Sequence, residues 1–536
     1  MSGVDKGSKF IKGAAILGIA GVMIKVMGAV FRIPLTNWIG DEGMSYYGVA
    51  YTIYSALLVL ATAGIPVAIS RMVSERIAVG EYRNAHKVFK VATALMFGIG
   101  LISFAICFFG GDLITKLLQN PEAALAVKAI APALLFVPVM SSFRGYFQGR
   151  QNMNPTAVSQ MLEQLVRVGF GLALAYIFMK TSLIKAAAGA SFGASAGSLA
   201  GLVTIVLIYF LNRRVIHKKN RLHSQNTEST SVILKKIVVI AVPIIIGSEI
   251  LPLMSVIDTS IIMGRLQDTG WSYDEAKSMY GQLSGFCNSL IAFPQVFTQA
   301  VAVSLVPAVA AAFRMKDKES IQSNIQLGYR TTMIMACPCA VGIFALAEPI
   351  LLMLYPAQKA SAIAAVPTLM IMALSVVFLA IDQTSTGILQ AIGKQNLPVV
   401  NLFIGCLGKI VITYVLVGIK AVNIKGAAIG TIFAYVVSLL LNNTAIKKHT
   451  GTKINYDITY VRPLAASLIM GVCAFASHKL LASILGNSLA TLFAICVGAA
   501  VYVVLIFAFK AITLDELENI PGGTKLKSLI GKFAKS

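Results

Sequence analysis

The chain has 536 residues, of which 57% are hydrophobic and only 12% are charged, and its net charge is +23. A soluble domain carries about 25% charged residues, so this composition excludes a soluble globular protein and indicates a membrane protein. The positive charge does not indicate nucleic acid, because the basic residues concentrate in alternate loops between apolar segments.

About fourteen apolar segments follow one another along the chain, each long enough to cross a bilayer as a helix of about 20 residues. The first is too long and too charged for a signal peptide, so we expect it to be retained. The segments lie near residues 10–36, 44–72, 86–112, 123–148, 156–180, 186–211, 234–264, 276–312, 321–347, 360–392, 397–418, 424–446, 459–485 and 488–510.

The loops alternate in charge, which predicts the orientation of the chain in the membrane. About 30 Lys and Arg residues fall on one side and about 9 on the other, the pattern of cytoplasmic and external loops. We therefore expect a multi-pass membrane protein with both termini in the cytoplasm. Some of the basic excess would also attract anionic lipid head groups.

Two stretches about 240 residues apart carry nearly the same motif, GYFQGRQNMNP from Gly145 and GILQAIGKQNLP from Gly387. The pairs Lys180/Lys185 and Lys420/Lys425 repeat at a similar offset. We infer two copies of a six-helix unit. An even number of helices per copy makes the copies parallel, and transporters built in this way place the substrate at the repeat interface.

The predicted fold is an all-α membrane protein with two six-helix lobes in a parallel pseudo-two-fold repeat and two extra C-terminal helices. The predicted parts are an N-lobe (1–216), a cytoplasmic linker (217–232), a C-lobe (233–450), helices 13 and 14 (451–511) and a basic cytoplasmic tail (512–536).

Ionisable residues within membrane segments are costly, so each of them is a candidate functional residue. Lys25 and Arg32 share one face of the first segment, and we expect Lys25 to face a water-filled cavity. Arg167 follows Glu163 by four residues, a spacing that predicts mutual neutralisation. The second half contributes candidates for coupling or gating: Glu249, Asp258, Asp382 and Lys409.

The balance of these charges indicates the sign of the substrate. The first half contributes four basic residues and one acidic residue, whereas the second half contributes two basic and three acidic residues. A cationic wall suits an anion, and Lys and Arg both bind phosphate. The seven cysteines lie in apolar runs without the spacing of metal ligands, so we expect no disulfide, no metal and no cofactor.

The stretches SKFIKGAAILGIAGVMIKVMGAVFRIPLTNWIGDEG, GIPVAISRMVSERIAVGE and GYFQGRQNMNPTAVSQMLEQLVRV resemble polysaccharide-biosynthesis transporters. These belong to the multidrug/oligosaccharidyl-lipid/polysaccharide exporter (MOP) superfamily, and the resemblance is to the group of stage V sporulation protein B and MurJ-type lipid II flippases. It implies a two-lobed bundle of fourteen helices that moves undecaprenyl-pyrophosphate-linked sugars from the inner to the outer leaflet.

The same resemblance implies where the substrate binds. MurJ-type proteins carry cavity arginines on helices 1, 2 and 8. Lys25 matches the first of the helix 1 positions and Arg32 lies close to the second, whereas YSALLVLATAG in helix 2 is uncharged and helix 8 has no basic residue in its core. The substrate-binding candidates are therefore Lys25, Arg32 and Arg167, in a monomer whose partners are the lipid-linked substrate and membrane lipids.

Two other functions compete with the flippase interpretation. A cation-coupled multidrug exporter of the same superfamily would use Asp258, Asp382 or Glu249 as its coupling carboxylate. A membrane glycosyltransferase or ligase would need an acidic catalytic motif and a sizeable loop. The largest loop, around 214–232, is basic and contains no carboxylate pair, so we expect the protein not to be an enzyme.

The predicted orientation can be tested with cysteines introduced into opposite loops. A membrane-impermeant thiol reagent added from outside should label a cysteine at Asp41 and spare one at Asn226. The reverse labelling would overturn the orientation.

Overall fold

In the computed structural model, the described residues are 3–212 and 228–511, and the side chains of residues 3–19, 22 and 25 lie outside that description. All regular structure within the described part is helical, which confirms the predicted all-α class. Most of the predicted linker (217–232) and the whole tail (512–536) lie outside the described residues.

The described residues form fifteen α-helices. In chain order they are α1 (Gly3–Thr62), α2 (Ile65–Ala78), α3 (Tyr82–Leu117), α4 (Ala124–Gly149), α5 (Asn154–Met179), α6 (Leu183–Leu211), α7 (Thr230–Asp268), α8 (Tyr273–Gly281), α9 (Asn288–Arg314), α10 (Lys318–Ala345), α11 (Ala347–Leu354), α12 (Lys359–Ala391), α13 (Asn396–Val417), α14 (Lys425–Thr450) and α15 (Arg462–Ala508). The described structure also contains four short segments. Two are 3₁₀ turns, Pro121–Ala123 and Pro356–Gln358, and two are π-helical, Gln282–Cys287 and Asp457–Val461.

Twelve stretches of the described chain are long and apolar enough to cross a membrane, so the protein is a multi-pass membrane protein. Two of them are far longer than one crossing needs, Val26–Ala78 with 53 residues and Asp457–Ala508 with 52. The first is interrupted at Gly40 (φ 65°, ψ −169°) and the second at Gly486 (φ 73°, ψ 167°). The exact number of fourteen crossings stays a prediction.

The structure corrects two of the predicted segments. The segment 44–72 is not continuous, because α1 ends at Thr62 and α2 begins at Ile65, with a proline in its first turn. The segment 276–312 is divided into α8, the π-helical turn Gln282–Cys287 and α9. Hydropathy alone missed both breaks because the residues around them are as apolar as those in the helices.

The repeated motif forms the same local structure in both places. Its first copy ends α4 and begins α5, with Pro155 in the first turn of α5, as predicted. Its second copy joins α12 to α13. Each turn contains one residue with positive φ, Gln151 (59°) in the first and Gly393 (77°) in the second. Lys180/Lys185 and Lys420/Lys425 likewise flank the α5–α6 and α13–α14 connections.

The chain forms two compact units, which are described separately. The first contains the described residues of Met1–Ser289 together with Thr413–Ile424. In it α6 packs on α4 and α5, and α1 packs on α4, α5 and α7. The second contains Leu290–Ile412 and the described residues from Lys425 onward, and its core lies among α10, α12, α14 and α15. The predicted lobes 1–216 and 233–450 were defined by the sequence repeat, and their bounds differ from those of the two units. The lobes remain a prediction.

An ion pair in the first unit attaches the beginning of α7 to the end of α2. Arg76 is buried, and it donates from Nε to Oε1 of Glu228 at 3.0 Å and from Nη2 to Oε2 at 2.8 Å. Asn84 accepts the backbone N–H of Glu228 at 3.1 Å. The hydrogen bonds from Arg76 lower the pKa of the Glu228 carboxyl, so this attachment holds at neutral pH.

The helix break at Gly486 requires a backbone conformation that only glycine adopts readily, and no side-chain contact is involved. Its φ and ψ lie in a region that is nearly exclusive to glycine, and an added Cβ would meet nothing within 4 Å. Gly486→Ala should therefore destabilise the protein by about 1–3 kcal/mol through backbone strain, measured by thermal unfolding in detergent.

The matched control is Gly98→Ala in α3, where an added Cβ also meets nothing within 4 Å but the backbone is helical. That change should stabilise the protein by roughly 0.5–1 kcal/mol. Equal changes in stability for Gly486→Ala and Gly98→Ala would contradict the assigned helix break at Gly486.

Candidate functional site

Arg32 and Arg167 converge on one aromatic ring in the first unit. The guanidinium carbon of Arg32 lies 5.7 Å from the centre of the Tyr51 ring, and that of Arg167 lies 5.2 Å from it. Both distances are within the range of cation–π attraction. In a continuous helix Arg32 and Tyr51 would stand about 28 Å apart along the axis. The break at Gly40 therefore allows the two parts of α1 to bring them together.

The remaining contacts of the two guanidiniums are to neutral groups. Arg167 donates from Nη2 to the Tyr47 hydroxyl at 3.3 Å, and Arg32 donates from Nη1 to Oγ of Ser289 at 3.4 Å. Tyr47 is buried, and its ring is stacked on Tyr51 at 6.0 Å. Among the side chains that the structure describes, no carboxylate pairs with either arginine. The cationic side chains of Arg32 and Arg167 thus share a site in membrane segments that contains no described anionic side chain.

The predicted neutralisation of Arg167 by Glu163 is wrong. Glu163 instead accepts from Nη2 of Arg144 in α4 at 2.8 Å, and Nε of Arg144 donates to Ser159 at 3.0 Å. The spacing of four residues placed Glu163 and Arg167 on one face of α5, but it could not reveal a competing arginine on a neighbouring helix. Because Glu163 is paired with Arg144, it does not neutralise Arg167. The contacts of Arg167 are with tyrosines instead.

Lys25, the leading candidate from the sequence, is in α1, but its side chain lies outside the described residues. Its role in the site therefore stays a prediction. The structure brings together the other two substrate-binding candidates, Arg32 and Arg167. The sequence did not identify their shared partner, Tyr51, because an aromatic residue in a membrane helix is an ordinary packing residue and gives no signal of its own.

The coupling candidates do not form one cluster. Asp382 is buried in the second unit, where Oδ1 accepts from Ser438 at 2.7 Å and from Asn442 at 2.9 Å. Asn401 donates in turn to Oδ1 of Asn442 at 2.8 Å. None of these hydrogen-bond partners is charged. Lys409 is half-buried in α13, also in the second unit.

Glu249 and Asp258 lie in α7 of the first unit, Asp258 half-buried and Glu249 buried with 7% of its surface exposed. Among the described residues, neither carboxyl oxygen of Glu249 has a hydrogen-bond partner at normal geometry, although the backbone of Leu60 lies nearby. An ionised carboxylate without a partner would cost several kcal/mol at such a position.

The sequence also missed a cluster of charges around Lys277 in α8. The side chain is only 3% exposed, and Nζ lies 2.7 Å from Oε1 of Glu42, 3.0 Å from Oε2 of Glu122 and 3.0 Å from Oδ1 of Asp274. It also donates to the Tyr46 hydroxyl at 2.9 Å. One lysine thus joins α8 to the second part of α1 and to the turn before α4.

A second set of bonds runs beside this cluster. Asp41 accepts from the Ser278 hydroxyl at 2.6 Å and from the Gln282 amide at 3.1 Å. With Lys277, these contacts fasten the last turn of α8 to the residues that directly follow the Gly40 break. In the predicted orientation all of these connections lie on the outer side of the membrane. No sequence motif marks the cluster, because it is assembled from three stretches of the chain, and the bonds between them join residues at least 76 positions apart.

Comparison with known proteins identifies the family. The family model described as polysaccharide biosynthesis protein matches residues 10–313, which is more than half of the chain. The chain belongs to this family. A second model, MatE, matches residues 284–415.

Two curated relatives cover nearly the whole chain. Stage V sporulation protein B of Bacillus subtilis (strain 168) is 27% identical over 517 residues, which are 96% of this chain and 98% of the relative. Lipid II flippase MurJ of the same strain is 28% identical over 487 residues, which are 87% of this chain and 88% of the relative.

Solved structures share the fold. Lipid II flippase MurJ in an inward closed conformation has a TM-score of 0.66 and 16% identity, covering 92% of this chain and 98% of that chain. An inward-facing multidrug resistance MATE family transporter of the MOP superfamily has a TM-score of 0.67 and 13% identity, covering 81% and 99%. By family the chain is a polysaccharide biosynthesis protein, and it shares the fold of the MurJ and MATE transporter structures.

The Lys277 cluster gives a prediction about stability. Lys277→Met should destabilise the protein by about 2–3 kcal/mol, because three carboxylates would then repel one another without a cation. This is below the 3–5 kcal/mol of a fully buried pair, since the carboxylates are 39–85% exposed and water screens them. Thermal unfolding in detergent measures the change.

Adding Glu122→Gln to Lys277→Met should restore part of the loss, because it removes one of the repelling charges. Lys394→Met serves as the control, since Lys394 is exposed, and it should have almost no effect. A stable Lys277→Met variant would show that the cluster contributes nothing to the fold.

Proposed function

We propose that this protein moves an undecaprenyl-pyrophosphate-linked glycan, lipid II or a related cell-envelope precursor, from the inner to the outer leaflet of the bacterial plasma membrane by alternating access. It would act as a monomer with both termini in the cytoplasm and without covalent chemistry. The observation that carries the proposal is the convergence of Arg32 and Arg167 on Tyr51, with no carboxylate partner among the described side chains.

The chemistry of the site favours a diphosphate. A guanidinium forms two parallel hydrogen bonds with a phosphate, and it remains charged at every physiological pH. The Arg32 and Arg167 guanidiniums lie on the same ring, so they can bind neighbouring phosphate groups of one ligand. A site with two cations and no acid would instead repel the cationic drugs that many exporters carry.

The family and its relatives support the same substrate class. The matched family is described as polysaccharide biosynthesis protein, and one relative over most of the chain is a lipid II flippase. Since another relative is a sporulation protein, the precursor could serve growth or sporulation. An inside-negative potential would favour outward movement of an anion by about 2.3 kcal/mol per charge per 100 mV, so transport needs no nucleotide.

Two observations favour a cation-coupled multidrug exporter as the second candidate. The MatE model matches residues 284–415, and both Glu249 and Asp382 are buried carboxyls in membrane helices. In such an exporter a proton or sodium ion would bind at one of these residues. Drug export that is lost in Asp382→Asn would support this function, and unaltered export would exclude Asp382 as its coupling residue.

The diphosphate site can be tested with Arg32→Gln and Arg167→Gln. Each change should weaken the binding of undecaprenyl diphosphate by about 10- to 150-fold, which corresponds to about 1.5–3 kcal/mol for a hydrogen bond to a charged group. The measurement is equilibrium binding to the full chain in lipid nanodiscs. Both variants should be produced at normal levels and should fail to complement a strain depleted of its lipid II flippase.

Arg71→Gln is the matched control. Arg71 has the same charge but is exposed, and within the described residues it pairs only with Glu75, at 2.8 Å one turn along the same helix. This variant should bind and complement like the wild type. Normal binding by both Arg32→Gln and Arg167→Gln would refute the proposed diphosphate site.

A further inference from the structure

The ion pair between Arg144 and Glu163 lies beside the proposed diphosphate site, within the first unit. Nη2 of Arg144 lies 2.8 Å from Oε2 of Glu163, and Nε of Arg144 donates to Oγ of Ser159 at 3.0 Å. Arg144 is in α4, whereas Ser159 and Glu163 are in α5. The side chains of the pair are 12% and 22% exposed, so neither charge is fully screened by water.

A second guanidinium lies on the same helix face as Glu163. Arg167 follows Glu163 by four residues in α5, and side chains at this spacing have Cβ atoms about 5–6 Å apart. The buried Tyr54 is close enough to both residues to interact electrostatically with each of them, which places the two charges on one side of α5. A change of side-chain rotamer would therefore bring Glu163 from Arg144 to Arg167.

The contacts that Arg167 makes in the structure are weak. Its hydrogen bond to the Tyr47 hydroxyl is 3.3 Å long, beyond the usual range of about 2.7–3.2 Å, and it shares the Tyr51 ring with Arg32. A carboxylate or a phosphate forms shorter and stronger bonds with a guanidinium than these groups do. Arg167 is thus open to an anion while Glu163 is paired elsewhere.

Close packing fixes the backbone of α5 between the two arginines. A Cβ added at Gly197 of α6 would lie 2.5 Å from the carbonyl oxygen of Glu163 and 2.8 Å from Cβ of Arg167. A Cβ added at Gly201 would lie 3.0 Å from Cβ of Glu163. Because α6 contacts α5 this tightly, an exchange of partners has to occur through the side chains and not through a rotation of the helix.

We propose that Glu163 is a switching counter-ion that determines when Arg167 binds the substrate. Paired with Arg144, as in the structure, Glu163 leaves Arg167 and Arg32 to the diphosphate. Transferred to Arg167, it competes with the diphosphate and favours its release. This role rests on the proposed function. Arg144 is then a positioning residue, which acts through Glu163 and does not touch the substrate.

The test is equilibrium binding of undecaprenyl diphosphate to the full chain in lipid nanodiscs. Arg144→Gln removes the group that holds Glu163 away from Arg167, so it should weaken binding roughly 3- to 10-fold, above the effect of an exposed i,i+4 pair because this one is partly buried. Glu163→Gln should not weaken binding, and adding it to Arg144→Gln should restore the wild-type affinity. If Arg144→Gln does not fold, Arg144→Lys takes its place, because lysine keeps the charge but lacks the planar fork, and the same pattern is expected.

A purely structural ion pair gives a different pattern. Each single variant would break the same pair, so equal losses of affinity in Arg144→Gln and Glu163→Gln would overturn the proposal.

The Arg167→Gln background separates the switch from a direct effect of the Arg144 charge. Without Arg167, Glu163 has no second guanidinium to occupy, so Arg144→Gln should cause no loss beyond that of Arg167→Gln. An additional loss would show that Arg144 itself attracts or contacts the diphosphate, and it would overturn the switch.

Lys128→Gln is the matched control, because Lys128 is also in α4 and pairs with Asp112 at 2.6 Å. This variant loses the same charge and also breaks an ion pair, yet it should bind like the wild type. A loss as large as that of Arg144→Gln would mean that any broken ion pair on α4 weakens binding, which would also overturn the switch.

Failure of the proposed function has its own signature. If Arg32 and Arg167 do not bind the diphosphate, then Arg32→Gln and Arg167→Gln bind it as the wild type does. If only the switch is wrong, these two variants still weaken binding, while the pattern expected for Arg144→Gln and Glu163→Gln is missing.

Discussion

The structure depends on one constraint, which is that a charged or polar group in hydrocarbon must find a partner or face a wet cavity. Most buried polar groups in this protein meet the constraint internally. Arg144 pairs with Glu163, Lys277 is surrounded by three carboxylates, and Asp382 accepts from a serine and an asparagine. Against this background the pair Arg32 and Arg167 stands out, because among the described side chains it has aromatic and hydroxyl partners but no anion. Under the proposed function, the substrate would supply the missing negative charge.

Helix breaks make this arrangement possible. Arg32 and Tyr51 belong to one apolar stretch, and a straight helix would hold them far apart. The break at Gly40 lets the second part of α1 pack beside the first, and the bonds of Asp41 and Lys277 attach that second part to α8 just after the break. The contact between Arg32 and Tyr51 and the ion cluster around Lys277 are thus two consequences of the same turn in the chain. A change at the cluster should therefore be felt at the arginines.

The two units supply different chemistry. The first offers cations on an aromatic ring, with the buried Glu249 in the same unit. The second offers amides and hydroxyls along α10 and a carboxyl in a neutral network. The internal repeat indicates that both halves began with the same fold, and the differences between their polar residues are where a substrate preference can reside.

The sequence by itself determined the all-α membrane class, most of the helices and the turns formed by the repeated motif, because hydropathy, proline and glycine act locally. It also identified Arg32 and Arg167, since a charge in an apolar run is conspicuous. It could not determine which charged side chains pair with one another. Glu163 was assigned to Arg167 by spacing, yet Arg144 on another helix reaches it. Tyr51 and Lys277 gave no signal, because their roles arise from residues distant in sequence. Only the tertiary structure decided these partners, since a buried charge is satisfied by whichever group the packing of the helices brings within hydrogen-bonding distance.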